Sequence, residues 1–138
     1  SHTNHIYFIT FVVKERKPLF TNFKAAHIFC KLIIENQWQN ECHWLTWVLM
    51  PDHFHGLLKL NGTHELAQIT RHLKSNSARL INRANNTQGQ IWQHAYFDRA
   101  LREEEDLVQV ARYIVANPIR AKIVSNLRSY PFWDSVYL

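Results

Sequence analysis

A chain of 138 residues with 46% hydrophobic and 13% aromatic content and only three glycines is expected to fold as one domain spanning residues 1–138, burying roughly two-thirds of its unfolded surface. That composition excludes a disordered chain and a repeat array, and no apolar run approaches the ~18 residues needed to span a bilayer. Sixteen Lys and Arg against eleven Asp and Glu leave a net charge of +5, which favours a polyanionic partner, nucleic acid first.

The opening Ser1-His2-Thr3-Asn4-His5 lacks the charged and apolar regions of a secretory signal. The two cysteines, Cys30 and Cys42, fit a reducing cytoplasm with no disulfide framework, and Cys42-His43 lacks the paired spacing of a zinc site. Ile6 to Val13 is aromatic, β-branched and uncharged, and predicts a strand. Lys14 to Phe20 reads as a polar loop, after which Thr21 or Asn22 can cap a helix with Phe23, Ala26, Cys30, Ile33 and Ile34 as its apolar stripe. Cys42 to Met50 and His53 to Leu60 predict two strands joined by a turn at Pro51-Asp52. A second helix follows Asn61-Gly62-Thr63, with Leu66, Ile69, Leu73 and Leu80 on one side and Arg71, Lys74, Arg79 and Arg83 on the others. Asn85 to Gly89 is a loop, and Ile91 to Asp98 a fourth strand or extended segment. The last helix is expected to begin near Arg102, with Glu103, Glu104, Glu105 and Asp106 in its first turn, and to end near Asn117, because Pro118 follows. The order β, α, β, β, α, β, α predicts an α+β, ferredoxin-like (RRM-like) antiparallel sheet with helices on one face and an added C-terminal helix.

On a strand, side chains alternate, so His53 and His55 share one face while Phe54 points to the core. Two neutral imidazoles so placed suit one divalent ion, with positions left for a third ligand and a substrate. On the last helix, Tyr113 and Asn117 are four residues apart and share a side, while Leu107, Ala111 and Ile114 can be buried opposite. A metal pair, a helical tyrosine and a basic helix form a working set for phosphodiester chemistry. By residue type alone, His72 and His94 are alternative ligands.

Four segments then carry a resemblance: Met50-Pro51-Asp52-His53-Phe54-His55, Ile91-Trp92-Gln93, Asp98-Arg99-Ala100-Leu101-Arg102, and Tyr113-Ile114-Val115-Ala116-Asn117-Pro118-Ile119-Arg120-Ala121. In order and spacing they resemble the REP-associated tyrosine transposases, within the single-tyrosine HUH transposases of bacterial insertion sequences. The ending Tyr130-Pro131-Phe132-Trp133-Asp134-Ser135 is similar to the family's Tyr-Pro-Trp-Ser-Ser segment, with Phe132 inserted and Asp134 in place of the first Ser. The resemblance implies that His53 and His55 bind the metal, that Tyr113 is the nucleophile, and that Asn117 completes the metal site, where insertion-sequence relatives more often have Gln. It further implies Mg²⁺ or Mn²⁺ as cofactor, a covalent 5′-phosphotyrosine intermediate, single-stranded or hairpin DNA as partner, a bacterial cytoplasmic location, and a monomer in preference to a homodimer. A phenol is mostly protonated at neutral pH, so a divalent cation would act by polarising the phosphate.

Charge alone nominates Lys14, Arg16, Lys17, Arg71, Lys74, Arg99, Arg102 and Arg120 as DNA contacts, and Trp92 either packs or stacks on a base. Two other readings stay open: a non-catalytic RRM-like nucleic-acid-binding module, and a metal nuclease using water with Tyr113 structural.

Overall fold

The computed structural model describes residues 5–39, 42–62, 65–102 and 105–138. Four strands, β1 (Ile6–Val12), β2 (Cys42–Leu49), β3 (His53–Leu60) and β4 (Phe97–Ala100), alternate with helices α1 (Phe23–Gln39) and α2 (Leu66–Asn85). They are followed by α3 (Leu107–Val115), the one-turn α4 (Asn117–Arg120) and a short β5 (Trp133–Ser135). The sheet is antiparallel with order β4-β1-β3-β2-β5, a ferredoxin-like arrangement extended by β5. No helix among the described residues is long and apolar enough to cross a membrane.

The two faces of the sheet carry different cores. Phe54, Leu58 and Leu60 of β3 point toward α1 and α2, where Phe54 packs against Phe11 and Phe29 with ring centroids 5.6 and 4.9 Å away. Leu57 points the other way, into a smaller core made with Leu45 and Val48 of β2 and Ala111 and Ile114 of α3. The added helix thus lies on the face opposite α1 and α2. By the alternation of β3, that is also the face of His53 and His55. A β-bulge between Trp44 and Thr46 makes this division possible. It turns both Trp44 and Trp47 into the α1/α2 core, while Leu45 and Val48 face α3.

Helix boundaries follow their caps. Asn22 Oδ1 accepts from Ala25 N at 2.9 Å and starts α1, whereas the Thr21 hydroxyl donates to Pro18 O. The buried stripe of α1 is Ala25, Ala26, Phe29 and Ile33; Phe23 and Ile34, expected inside, are 71% and 54% exposed. The stripe is rotated because Phe29, and not Phe23, meets Phe54, while Phe23 stacks on His27 at the helix start. A capping box of Glu65 and Gln68 opens α2, and Asn86, with φ 55°, closes it in the left-handed region. Leu66, Ile69 and Leu73 of the expected stripe are buried, but at its end Ile81 is the buried residue and Leu80 only half-buried.

The last helix starts at Leu107, not near Arg102, because Asp106 caps it by accepting from Val108 N and Gln109 N. Glu105 lies before that cap, and Glu103 and Glu104 lie outside the described residues. The extended segment expected over Ile91 to Asp98 is a regular strand only from Phe97. Before it, Trp92 forms a single bridge to Val13 and is buried, its indole N–H donating to Ser77 Oγ at 2.9 Å. Trp92 therefore packs and does not stack on a ligand.

Gly56 shows how tightly β3 is seated. A methyl group there would lie 2.6 Å from a ring carbon of Trp44 and 3.1 Å from Phe54. Trp44 is 3% exposed and edge-on to Phe54, so neither ring can give way freely. Gly56→Ala is expected to lower stability by about 1–3 kcal/mol through overpacking. Urea unfolding should show a lower midpoint at unchanged slope.

Candidate active site

The turn Met50–Asp52 delivers His53 and His55 onto the α3 face of β3, with ring centroids 4.7 Å apart. Each ring is held by a hydrogen bond at its Nδ1. Asp52 Oδ1 lies 2.7 Å from His53 Nδ1, and a second oxygen of Asp52 accepts from Arg16 at 3.0 Å. Burial alone would raise the Asp52 pKa, but the bonds and charges of His53 and Arg16 hold it below the usual carboxylate range. An ionised carboxylate only accepts, so His53 Nδ1 carries the proton and Nε2 keeps its lone pair. Thr10 Oγ1 lies 2.7 Å from His55 Nδ1 and can accept its proton in the same way.

Burial first, then the electrostatic influence of His53, Arg120 and Arg16, depress the His55 pKa from 6.5 to about 4. His55 is therefore neutral at physiological pH, the form that ligates a metal. The unfolded chain binds more protons than the native one between those two values, so this stabilisation is complete above about pH 6.5 and is lost as the pH falls toward about 4. The metal-free protein should melt at a lower temperature near pH 5 than near pH 7, and His55→Gln should flatten that difference. Full expression of the shift corresponds to up to about 3 kcal/mol. Asp52, with its lowered pKa, acts only below this window.

α3 is amphipathic: Ala111, Ile114 and Val115 are buried on the sheet, and Tyr113 is 58% exposed beside them. Of the five tyrosines, Tyr7 and Tyr130 are buried and Tyr96 and Tyr137 half-buried, which leaves Tyr113 the exposed one. The Arg120 guanidinium stacks on its ring at 4.1 Å. The same cation contributes to the field at His55, so Arg120 links the tyrosine to the histidine pair.

Tyr113 and Asn117, expected on one helix, fall on two. Pro118 has no N–H for the carbonyl of Ile114 four residues back, and α3 ends at Val115. Asn117 supplies the missing donor, its Nδ2 bonding Ile114 O at 2.8 Å. That bond fixes the amide so that Oδ1 remains available as an acceptor. Ala116 keeps near-helical angles, so the turn between Tyr113 and Asn117 is nearly continuous.

Among the described residues no group of three His, Cys, Asp or Glu could hold a metal ion. His72 and His94 therefore join no cluster with the pair; His72 faces Asn76. By donor type, the two imidazole Nε2 atoms and the Asn117 amide oxygen are groups that could hold a divalent cation, with positions left for water or phosphate.

The basic candidates separate by partner. Arg16, held by Asp52 in a turn where Glu15 and Arg16 take positive φ, belongs to the support of His53. Lys17 pairs with Glu15 at 3.5 Å, and Lys14 lies exposed on the same turn. Arg99 bonds Glu105 at 2.7 Å, with Arg102 close to the same carboxylate. Lys74 donates to the carbonyls of Gln93 and His94 and so anchors backbone; Arg71 is exposed on α2, across the sheet from the histidines. The Arg16–Asp52 support escaped sequence reasoning, since its partners are 36 positions apart. The acidic residue directly before His53 was its visible trace.

The sequence profile described as "Transposase IS200 like" matches residues 1–117. The chain belongs to the IS200-like transposase family. No curated protein sequence matches it. One solved structure of similar fold is a REP-associated tyrosine transposase bound to a REP hairpin, with TM-score 0.79 and 20% identity over 96% of this chain and 77% of that one. Another is a protein of Deinococcus radiodurans R1 assigned as a transposase, with TM-score 0.62 and 22% identity over 83% of this chain and 91% of that one. At these identities the likeness to this IS200-like transposase is one of fold.

Proposed function

We propose that this IS200-like transposase is a metal-dependent single-strand DNA enzyme that cleaves and rejoins hairpin-forming DNA of the REP type through a covalent 5′-phosphotyrosine at Tyr113. One observation carries the reading: α3 presents an exposed Tyr113 on the sheet face that bears His53 and His55, with Arg120 acting on both. The hairpin preference is supported by the fold shared with a transposase bound to a REP hairpin.

When bound by His53, His55 and Asn117, Mg²⁺ or Mn²⁺ supplies positive charge against the scissile phosphate. The chain's own residues do the rest. Asp52 and Thr10 hold the imidazoles in the tautomer that frees Nε2. The Tyr113 oxygen attacks phosphorus, giving up its phenol proton to solvent and forming the O–P bond as the bond to the 3′ oxygen breaks, and that oxygen takes a proton from solvent and leaves as a 3′ hydroxyl. Arg120, stacked on the Tyr113 ring, is the cation that would stabilise charge building on the phosphate oxygens. Attack of a 3′ hydroxyl on the phosphotyrosine reverses the step and rejoins a strand, so no external energy source is consumed.

The test is incubation with end-labelled hairpin DNA and Mn²⁺, followed by denaturing electrophoresis. A protein–DNA band that survives denaturation is the expected result. Cleavage without an adduct would establish the water-using nuclease, and binding without cleavage the RRM-like module. In competition, a hairpin with a single-stranded foot should displace an unstructured strand of equal length and a duplex, with affinity falling steeply with salt. Equal affinity for all three would remove the hairpin assignment.

A further inference from the structure

A groove of about 510 Å³ lies between α2 and the segment 90–96, across the sheet from the histidine pair. Its floor is fixed by hydrogen bonds: Trp92 to Ser77, Gln93 N to Val12 O at 2.9 Å, and Lys74 to the carbonyls of Gln93 and His94 at 2.8 and 3.1 Å. Its walls are cationic. Arg71 and Lys74 line it, and no Asp or Glu does. Arg71 is exposed and has no ion-pair partner among the described residues. The side chains of Gln93 and His94 likewise make no hydrogen bond there, and Tyr96 closes the groove with an aromatic ring. Charge, a π-surface and two free amide and imidazole edges in one preformed concavity are what a nucleotide requires.

The groove is also placed on a path to the candidate active site. The bridge between Trp92 and Val13 runs along one side of β1, while Val12 pairs with His53 on the other. At about 4.8 Å per strand, the segment lies roughly 10 Å from the backbone of His53. Past the groove, β4 forms the sheet edge, and its Phe97, 66% exposed, pairs with Thr10, the residue bonded to His55. A strand crossing the histidine face can pass over Phe97 and around that edge.

We propose that this groove binds one nucleotide of the single-stranded DNA flanking the cleaved phosphate, with its base against Tyr96 and read by Gln93 and His94, and its phosphate on Arg71. The inference rests on the reading of the chain as a single-strand DNA enzyme, and assigns that enzyme a second contact remote from the chemistry.

Anisotropy without divalent metal tests it, using a hairpin with a single-stranded flank and an unstructured oligonucleotide, each with an abasic site walked along it. Wild type should lose about ten-fold in affinity at one flank position, the scale of a single stacked base. Gln93→Ala/His94→Ala should bind the intact strand more weakly and be less sensitive to the abasic site at that position, because only the stacking on Tyr96 remains to be lost. Arg71→Glu, a surface change on α2, should weaken the flanked hairpin and leave the blunt hairpin unchanged. Equal abasic sensitivity in variant and wild type, equal weakening of flanked and blunt hairpins, or no sensitive position at all would overturn the groove assignment. Wild type that binds no single strand would overturn the proposed function itself.

Discussion

Tyr113→Phe is expected to abolish cleavage and the covalent adduct, a loss on the order of 10⁴-fold or more, as for removal of a nucleophile elsewhere. Hairpin binding should stay nearly unchanged. The substitution removes one oxygen from a side chain that is more than half exposed and leaves the ring under Arg120 in place. Single-turnover cleavage and anisotropy on the same preparation separate the two effects. Adduct formation at the wild-type rate would discard Tyr113 and turn attention to Tyr96, which lies half-buried in the groove beside α2.

The second large effect concerns the metal. His53→Ala with His55→Ala should weaken Mn²⁺ binding by more than about 100-fold, beyond the 10- to 100-fold typical of losing only an outer partner of a ligand. Asn117→Ala should act more mildly on the metal, since an amide oxygen is a weaker ligand than imidazole. It carries a separate cost of about 1–3 kcal/mol in stability, because Ile114, which is fully buried, loses the donor to its carbonyl. Calorimetric titration with Mn²⁺ alone reads the first effect, and thermal melting of the metal-free protein the second. Unchanged Mn²⁺ affinity in the double histidine variant would refute the site.

Strands β1 to β3 and α2 were legible because alternation and helical periodicity are local properties: β3 runs from His53 to Leu60, as its pattern predicts. The face taken by α3 was not legible. A stripe of Ala111 and Ile114 says that the helix is amphipathic, not which side of a sheet receives it. β5 spans three residues, too few for a pattern, and is held by pairing Ser135 with Thr46, Asp134 with Trp47 and Trp133 with Val48 of β2. The site was legible as residue types, with roles that only the family resemblance implied. Its supports were not. Arg16 looked like a DNA contact because charge is visible in sequence and an ion pair with Asp52 is not. The bonds of the Lys74 ammonium to two backbone carbonyls were invisible for the same reason.

The bond from Asn117 to Ile114 O has a consequence for inheritance. Proline at 118 removes a backbone donor, and the side chain at 117 replaces it. The two positions are therefore bound to change in concert. A longer amide at 117 reaches past the carbonyl that proline has stranded, whereas a residue with an N–H at 118 satisfies that carbonyl and releases 117 from the duty. Lineages that carry glutamine at the first position should thus tend to have lost proline at the second. In this chain Asn117→Ala should cost more stability alone than in combination with Pro118→Ala.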